Sequence, residues 1–437
     1  MVSRTVKKTR AKRTPKRAWV VAVSMGFGHQ RTAYPLRHLA PDERILNAND
    51  YPAMPASDRA AWDSSRKFYE FMSNFQSLPV VGRAAWRVFD EFQKIADFYP
   101  KKASPTPTLA LRQSYALIRR GWGAHFIQKL AEEPRPLVST FFTPAFMADY
   151  YQYPGKIYCI VCDTDISRTW APLDPASSRI TYLAPTDRAA ERLRRYGVPT
   201  ERVILTGYPL PKENLGTPRY EIARRDTAAR IMNLDPAGAH RAQMSGEINQ
   251  HLGRLPKASD RPLTLLFSIG GAGAQRDLAH TILESLAPSI RAGFIRFWIA
   301  AGTKAPTRNE LQRAAMELNI HENFGLIFAN EPMEYFANFN RALRETDILW
   351  TKPSELSFYA GLGIPVIIAP PLGSHEFLNR AWLEQLGAGL PQEDPRYTHE
   401  WLFDFVKTGW FADAALQGFV KIEKGGTFAI ERLALRS

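Results

Sequence analysis

Residues 264–286, TLLFSIGGAGAQRDLAHTILESL, form the stretch that decides the predicted fold. The first six residues are an apolar run of the length of one buried strand. A glycine-rich turn without bulky side chains follows, and leucine and isoleucine then recur at helical spacing. A strand, a glycine turn and a helix together present free backbone N–H groups and a partial positive charge to an anion. The stretch therefore predicts a diphosphate site, and a tight turn that binds nothing is the alternative.

The composition indicates a globular protein of two or three domains with an anionic partner. The chain has 437 residues, of which 45% are hydrophobic and 23% are charged, and its net charge is +14. Residues 1–41 contain no acidic residue, so residues 1–18 are predicted to form a basic, flexible arm. Charge alone would permit a nucleic acid, but no recognised motif accompanies it, and we expect no nucleic-acid partner. A phosphorylated substrate or an anionic membrane surface is equally compatible with the charge.

The two cysteines and the hydropathy pattern bear on the cellular compartment. Cys159 and Cys162 form a single C-x-x-C, and no second pair completes a zinc site. The surrounding run reads as a strand, which would point the thiols to opposite faces, so we expect structural cysteines without metal or disulfide. No apolar run approaches the roughly 20 residues of a membrane span. The expected location is cytoplasmic.

Apolar runs alternate with helical patterns in two blocks, which predicts the α/β class. The first block has candidate strands at 19–24, 44–46, 137–142, 157–161, 180–183 and 203–205, and the second at 264–269, 294–300, 326–329, 348–350 and 366–369. We expect two doubly wound domains that face each other across a central cleft, at residues 19–210 and 263–397. Residues 211–262 are predicted as a linker with an insertion. Residues 398–437 are predicted as a helical segment that packs back across the domains.

Residues 57–99 differ from the rest because they contain ten aromatic residues with interleaved lysine and arginine. Phe71 and Phe75 belong to the apolar face of one predicted helix, and Trp86 and Phe89 belong to a second predicted helix. A pair of basic, aromatic helices is typical of a segment that lies on a membrane interface. The alternative is that the aromatic faces pack onto the domain.

A second informative segment is TKPSELSFYAGLGIP, residues 351–365, which continues as VIIAPPLGSHEFLNRAWLEQLGAG. Together with the glycine turn at 268–271 it resembles the nucleotide-sugar signature of GT-B glycosyltransferases that modify lipids. These include the diacylglycerol sugar transferases, such as the monogalactosyldiacylglycerol and processive diacylglycerol glucosyltransferase types, and the lipid-II-forming peptidoglycan transferase. The matches are T-K-P, G-x-P, a His-Glu pair and an asparagine three residues later.

Three stretches of the first block fit the same family. Residues 24–29, SMGFGH, resemble its N-terminal glycine turn with a histidine. Residues 162–170, CDTDISRTW, resemble its T-D…H…W segment, and residues 184–209 resemble the end of its first domain. The resemblance covers about residues 19–210 and 262–390, with the motifs in the same order.

The resemblance implies a GT-B fold and an inverting glycosyltransferase that moves a hexosyl unit from a nucleotide-sugar, with a UDP-sugar expected, to a membrane lipid such as diacylglycerol. It implies neither a metal nor a cofactor, because backbone N–H groups at the glycine turn stabilise the diphosphate. His29 or Asp163 would deprotonate the acceptor hydroxyl. The donor-binding residues implied are Gly28, Ser268, Gly270, Gly271, Lys352, Glu355, Gly363, Pro365, His375, Glu376 and Asn379. The protein would associate peripherally with the inner face of the membrane through Phe71, Phe75, Trp86 and Phe89.

Two positions depart from the family pattern. Phe358 stands where the family has the glutamate that holds the ribose, and Glu355 could replace that glutamate only from a different turn of the helix. Ser167 replaces the histidine of the T-D…H…W segment. The alternatives are a sugar-nucleotide 2-epimerase of GT-B fold, which has no need of a membrane-facing segment, and a non-catalytic binding protein on a transferase scaffold.

Overall fold

The computed structural model describes residues 17–64, 95, 98–99, 106–259, 261–270, 275–371 and 373–436. The predicted aromatic helix pair with Phe71, Phe75, Trp86 and Phe89 lies outside these residues. Gly271 and residues 1–16 of the basic arm lie outside them as well.

Two six-stranded sheets, all of whose strand pairs are parallel, form the two domains. The first sheet has the order β2-β1-β3-β4-β5-β6, and the second has the order β12-β11-β10-β7-β8-β9. The strands are β1 Trp19–Ala22, β2 Leu46–Asn47, β3 Leu137–Ser139, β4 Ile157–Ile160, β5 Ile180–Ala184, β6 Val203–Leu205, β7 Leu263–Ser268, β8 Ile295–Gly302, β9 Phe324–Phe328, β10 Ile348–Thr351, β11 Val366–Ile368 and β12 Gly389–Pro391.

Helices cover both faces of each sheet. In the first domain the helices are Phe27–Ala33, Leu109–Arg119, Ala124–Ala131, Phe142–Tyr150 and Asp187–Arg195. Later helices are Lys212–Leu215, Glu221–Leu234, Ala239–Gln243, Ser245–His251, Arg276–Arg291, Ala305–Glu317, Pro332–Leu343, Ser374–Leu386, Thr398–Lys407, Trp410–Lys421 and Gly426–Leu435. Short 3-10 helices include Tyr34–Leu39 and Glu355–Leu362. The predicted class, two Rossmann-like doubly wound domains facing a cleft in the GT-B arrangement, is confirmed.

The central strands are buried on both sides, which is why they appear in the sequence as continuous apolar runs. All six residues of β7 and all four residues of β4 are buried. Cys159 on β4 and Cys162 just after it are both buried free thiols. Among the described residues, no helix has the length and apolarity needed to cross a membrane.

The helix Glu221–Leu234, within the segment predicted as a linker, belongs to the core of the second domain. Its Arg230 is 1% exposed and donates hydrogen bonds to four backbone carbonyls, those of Leu343, Thr346, Leu362 and Gly363. These bonds join the helix to the ends of the helix Pro332–Leu343 and the 3-10 helix Glu355–Leu362. The helix therefore supports the loop that carries the T-K-P motif.

The C-terminal helices contact both domains. Trp401, Leu402 and Phe411 pack into the core of the second domain. The last helix, Gly426–Leu435, buries Ile430 and Ala434 against the first domain. The end of the chain thus links the two domains on the side away from the first sheet's helices at 109–131.

Candidate active site

The candidate site lies where the two sheets face each other at their topological switch points. In the first sheet the order changes direction between β1 and β3, and in the second between β7 and β10. Ligands of doubly wound sheets bind outside the carboxyl ends of the strands at such points. The motif residues follow β1, β4, β7, β10 and β11, so the folded chain brings them to this one crevice.

His29 lies in the short helix Phe27–Ala33, which begins after Gly26 with a φ of +98°. Its Nδ1 is 2.8 Å from the carbonyl oxygen of Thr140, just after β3. A carbonyl oxygen only accepts, so Nδ1 carries the proton and Nε2 keeps its lone pair. Thr140 Oγ1 donates in return to the His29 carbonyl at 2.9 Å, and the Phe141 ring lies 4.6 Å from the imidazole. The histidine is thereby held as a neutral tautomer with Nε2 as its free acceptor.

The electrostatic surroundings keep His29 neutral. Burial lowers the pKa of His29 below its ordinary value, and the positive form of His375 would act in the same direction. The carboxylates of Asp163 and Glu355 and the hydrogen bond to Thr140 oppose this shift without cancelling it. These interactions bring together residues from both domains, because Asp163 follows β4 whereas Glu355 and His375 follow β10 and β11. A neutral imidazole at this position can accept a proton at pH 7.

Asp163 and Thr164 of the first domain bond directly to Asn379 of the second. Asn379 Nδ2 donates to Asp163 Oδ1 at 3.2 Å and to the Pro353 carbonyl at 3.1 Å. Asn379 Oδ1 accepts from the Thr164 backbone N–H at 3.0 Å and from its hydroxyl at 2.7 Å. Asn379 is 0% exposed, whereas Asp163 is half-buried at the cleft. The carboxylate thus has one oxygen held across the domain boundary.

The donor-side residues surround the glycine turn after β7. Ser268 and Thr351 are register partners on neighbouring strands, so the turns that follow them lie side by side. Gly270 has a φ of +81°, and a Cβ added there would lie 3.5 Å from Lys352 Cε. The next helix, Arg276–Arg291, has no side-chain cap on its first turn. Backbone N–H groups at its start and the Lys352 ammonium are thus the positively polarised groups that follow β7 and β10.

Lys352 and Glu376 form an ion pair with an N–O distance of 2.5 Å, in which the Glu376 side chain is 3% exposed. Glu376 lies in the first turn of the helix Ser374–Leu386, where a carboxylate interacts favourably with the helix dipole. His375 precedes it and is half-buried, with its ring close to Gly373. Glu376 therefore positions the lysine beside the glycine turn, and His375 adds an imidazole to the cleft.

Gly28 and Glu355 meet across the cleft. A Cβ added at Gly28 would lie 3.3 Å from Glu355 Oε2, so the absence of a side chain permits this close approach. Glu355 also pairs with Arg31 at 3.2 Å, and the Arg31 guanidinium lies over the rings of Phe336 and Phe339, 4.8 and 4.4 Å from their centres. Glu355 was predicted to bind the donor. The structure places its carboxylate against an arginine of the other domain, and a contact to donor stays a prediction.

Gly363, Pro365 and Phe358 lie inside the second domain. Gly363 has a φ of +69° and lies so close to Thr227 that a Cβ would be 2.2 Å from its Oγ1. Pro365 is buried and its carbonyl accepts from the Leu349 backbone N–H. Phe358 is 1% exposed and stacks on Tyr208, with 4.4 Å between ring centres and 6° between planes. These contacts give Gly363 and Pro365 a role in shaping the loop, and donor binding by either stays a prediction.

The sequence did not predict two residues of the crevice. Thr140 orients His29, but the predicted strand 137–142 included it, whereas β3 ends at Ser139. With that boundary, the rule that ligand residues follow strand ends would have selected Thr140. Arg31 looks like any surface arginine of a short helix, and no sequence signal indicates that it is 2% exposed. Among the described residues, no group of three or more His, Cys, Asp or Glu is arranged to hold a metal ion.

The chain is similar to one family model and to several solved structures. Residues 243–331 match a family described as a domain of unknown function (DUF6938). No curated protein matches the chain. The MurG protein of Acinetobacter baumannii has 11% identity and a TM-score of 0.48, with coverage of 97% of this chain and 100% of that one. The Neisseria meningitidis UDP-GlcNAc 2-epimerase bound to UDP-GlcNAc has 12% identity and a TM-score of 0.48, with coverage of 96% and 100%.

The glycosyltransferase SnogD from Streptomyces nogalater has 14% identity and a TM-score of 0.44, with coverage of 97% of this chain and 100% of that one. These solved structures include both transferases and an epimerase. At such identities and TM-scores they do not decide the activity, so we derive the function from the residues of the site.

Proposed function

We propose that the protein is an inverting glycosyltransferase that moves a hexosyl unit from a nucleotide-sugar to a hydroxyl group of a membrane lipid. The observation that carries the proposal is the state of His29. Its Nδ1–H is committed to the Thr140 carbonyl, its pKa is lowered by burial, and its free Nε2 belongs to the cleft that also contains the glycine turn at Ser268–Gly270 and the Lys352–Glu376 pair. A base opposite an anion site is what glycosyl transfer requires.

The reaction balances with these groups alone. The acceptor hydroxyl loses its proton to His29 Nε2 while its oxygen forms a bond to the anomeric carbon of the sugar. The bond between that carbon and the diphosphate oxygen breaks, and the nucleoside diphosphate leaves with the electron pair. Backbone N–H groups at the start of the helix Arg276–Arg291 and the Lys352 ammonium stabilise the charge that develops on the leaving oxygen. Attack from the face opposite the leaving group inverts the anomeric centre.

Asp163 is the second candidate, besides His29, for the base that deprotonates the acceptor hydroxyl. Asn379 holds its Oδ1, so Oδ2 is the oxygen that remains for an acceptor hydroxyl or for His29 after the imidazole has taken a proton. Where His29 takes the proton, the Asp163 carboxylate stabilises the positive imidazole that results. We therefore expect turnover to depend on both side chains.

A UDP-sugar is the expected donor on the basis of the family resemblance. The test is a screen of UDP-, GDP- and dTDP-sugars by thermal shift, followed by product analysis on lipid extracts. His29→Ala and Asp163→Asn should each lower turnover by about 10²–10⁴ while donor affinity stays the same. His321→Ala is the matched control, because His321 is exposed in the second domain.

The outcomes separate the candidate functions. Transfer to lipid that needs His29 supports the proposal. Conversion of the donor to its 2-epimer without an acceptor would identify an epimerase instead. Donor binding without any product would leave a binding protein on a transferase scaffold. Full turnover in both the His29 and the Asp163 variants would contradict the assignment of the base.

The lipid acceptor and the membrane surface are supported by the sequence rather than by the described cleft. The basic arm would add attraction of about 1 kcal/mol per cation near an anionic surface, and salt would screen it. We expect binding to phosphatidylglycerol vesicles that weakens with salt, with removal of residues 1–17, and with serine at Phe71, Phe75, Trp86 and Phe89. Circular dichroism controls for misfolding. A folded protein that ignores anionic vesicles at low salt would point to a soluble acceptor.

A further inference from the structure

The Asn379 side chain bonds the two domains directly to each other. It lies one turn into the helix Ser374–Leu386 of the second domain and is 0% exposed. Its amide reaches Asp163 and Thr164, which follow β4 of the first domain, and also the Pro353 carbonyl of its own domain. One side chain therefore connects the loop that carries a candidate base with the loop that carries Lys352.

A count of hydrogen-bonding positions shows that the amide is fully used. A primary amide offers two N–H donors and one oxygen with two lone pairs. The donors bond to Asp163 Oδ1 and Pro353 O, and the oxygen accepts from the Thr164 backbone N–H and Oγ1. A donor hydroxyl would have to displace one of these bonds in a site without solvent, which leaves a buried polar group unpaired.

The first-domain side of the contact is itself fixed. Thr164 is 1% exposed, and its carbonyl accepts from Thr186 Oγ1 at 2.7 Å. Thr186 in turn caps the helix Asp187–Arg195 by accepting from the Ala189 backbone N–H. Asn379 thus bonds to a loop that a helix cap holds in place, so a movement of the second domain relative to the first must break bonds at Asn379.

We propose that Asn379 is a positioning residue rather than a ligand of the sugar donor. It ties the closed arrangement of the two domains to the orientation of the Asp163 carboxylate. This inference rests on the proposed function for its catalytic consequence, because Asp163 acts in that reaction. When the second domain closes over the donor, the bond from Asn379 Nδ2 fixes Oδ1 and turns Oδ2 towards the cleft.

The central experiment compares Asn379→Ala with wild type in two measurements. The first is the distance between spin labels on Thr200→Cys in the first domain and Gln385→Cys in the second, both exposed positions, while Cys159 and Cys162 are buried. The second is donor affinity by calorimetry together with turnover at saturating donor. Asn249→Ala, an exposed asparagine in the helix Ser245–His251, is the matched control.

We expect Asn379→Ala to broaden the distance distribution towards longer values and to lower kcat at least about 10-fold, with donor Kd changed less than about 3-fold. Thr164→Val, which removes one of the four bonds and keeps the backbone N–H, should produce the same two changes to a smaller degree. This milder variant also serves if Asn379→Ala fails to fold. A residue with a merely structural role would lower the amount of active protein without moving the label distance or kcat per folded molecule.

Two results would overturn the inference. One is a rise of 10-fold or more in donor Kd with unchanged kcat, which would make Asn379 a donor ligand. The other is an unchanged label distance in both variants, which would mean that the contact does not hold the domains. Failure of the proposed function would give a different result, because the wild-type protein would then show neither nucleotide-sugar binding nor product. The label distances would still test the interdomain contact in that case.

Discussion

The pair Arg31–Glu355 gives the sharpest test of how the two domains are held together at the cleft. Arg31 Nε lies 3.2 Å from Glu355 Oε1, and the side chains are 3% and 13% exposed. Coulomb's law at this distance with an effective dielectric constant of about 20 gives an attraction of about 5 kcal/mol. Glu355→Gln removes the negative charge and keeps the shape and a hydrogen-bond acceptor. Because removal of one partner leaves the Arg31 charge buried without a counter-ion, and the neutral amide keeps part of the attraction as a dipole, we expect a net loss of about 3 kcal/mol.

The second step is a double-mutant cycle with Arg31→Met. Methionine is unbranched and packs well on aromatic rings, and the Arg31 guanidinium lies on the rings of Phe336 and Phe339. In Arg31→Met with Glu355→Gln no buried charge remains, so the double variant should be more stable than Glu355→Gln alone. We expect a coupling energy of about 2 kcal/mol, well above the roughly 0.5 kcal/mol within which independent sites add.

Scanning calorimetry measures both effects. For a domain of about 200 residues the unfolding entropy is about 0.4 kcal/mol/K, so a loss of about 3 kcal/mol lowers Tm by about 7 °C. The control is Glu384→Gln, which breaks the exposed pair Arg380–Glu384 at 2.8 Å, and it should change stability by less than about 1 kcal/mol. If the two single variants add to the double, or if Glu355→Gln behaves like Glu384→Gln, the buried pair does not form in solution and the reasoning fails.

Three further predictions concern the support of the loop and the base. Arg230→Ala should destabilise the protein by about 4 kcal/mol in the same calorimetric assay, because it removes the hydrogen bonds to four buried carbonyls, of which that of Leu362 still accepts from Thr227 Oγ1. Arg225→Ala on the exposed face of that helix should have little effect. Gly363→Ala should lower Tm through its positive φ and its clash with Thr227, and Thr227→Ala should restore part of the loss; no restoration would contradict the clash. The kcat/KM of wild type should fall on acidification, because the protonated form of His29 cannot accept a proton. The midpoint of this fall should lie below pH 6.5, because burial lowers the pKa of His29. A midpoint above pH 6.5 would exclude His29 as the base.

The strands were predictable because strands buried on both faces leave a plain signal. β6 was predicted with its observed bounds, and the predicted run 264–269 differs from β7 by one residue at each end. β12, Gly389–Pro391, was missed because three residues containing glycine and proline carry no strand pattern. The sequence pattern also predicts a single helix over residues 108–131. The structure has two helices there, because Gly121 and Gly123 take φ values of +108° and +83° and interrupt the helix.

The site was predictable only in part, because some of its contacts are local in the sequence and others join residues that are far apart in the sequence. The glycine turns and the T-K-P segment follow strands in the sequence, so their common position at the carboxyl ends of the sheets could be inferred before the structure. The bonds of Asn379 to Thr164 join residues 215 positions apart, and the approach of Arg31 to Glu355 depends on the same docking of two domains. No local sequence pattern predicts how the two domains dock, because a buried arginine at an interface and an exposed arginine can have the same neighbours in the sequence.

The contacts of Phe358 and Glu355 together indicate what the T-K-P loop does in this chain. Phe358, at the position of the family's ribose-binding glutamate, is fixed between Tyr208 and Trp382 in the core. Glu355 is the one carboxylate of residues 351–365, and its partner is Arg31 of the opposite domain. In this structure the loop contributes its carboxylate to the contact between the two domains. We therefore expect donor recognition to depend on the diphosphate at the glycine turn and Lys352, with the sugar and nucleoside selected by closure of the cleft around them.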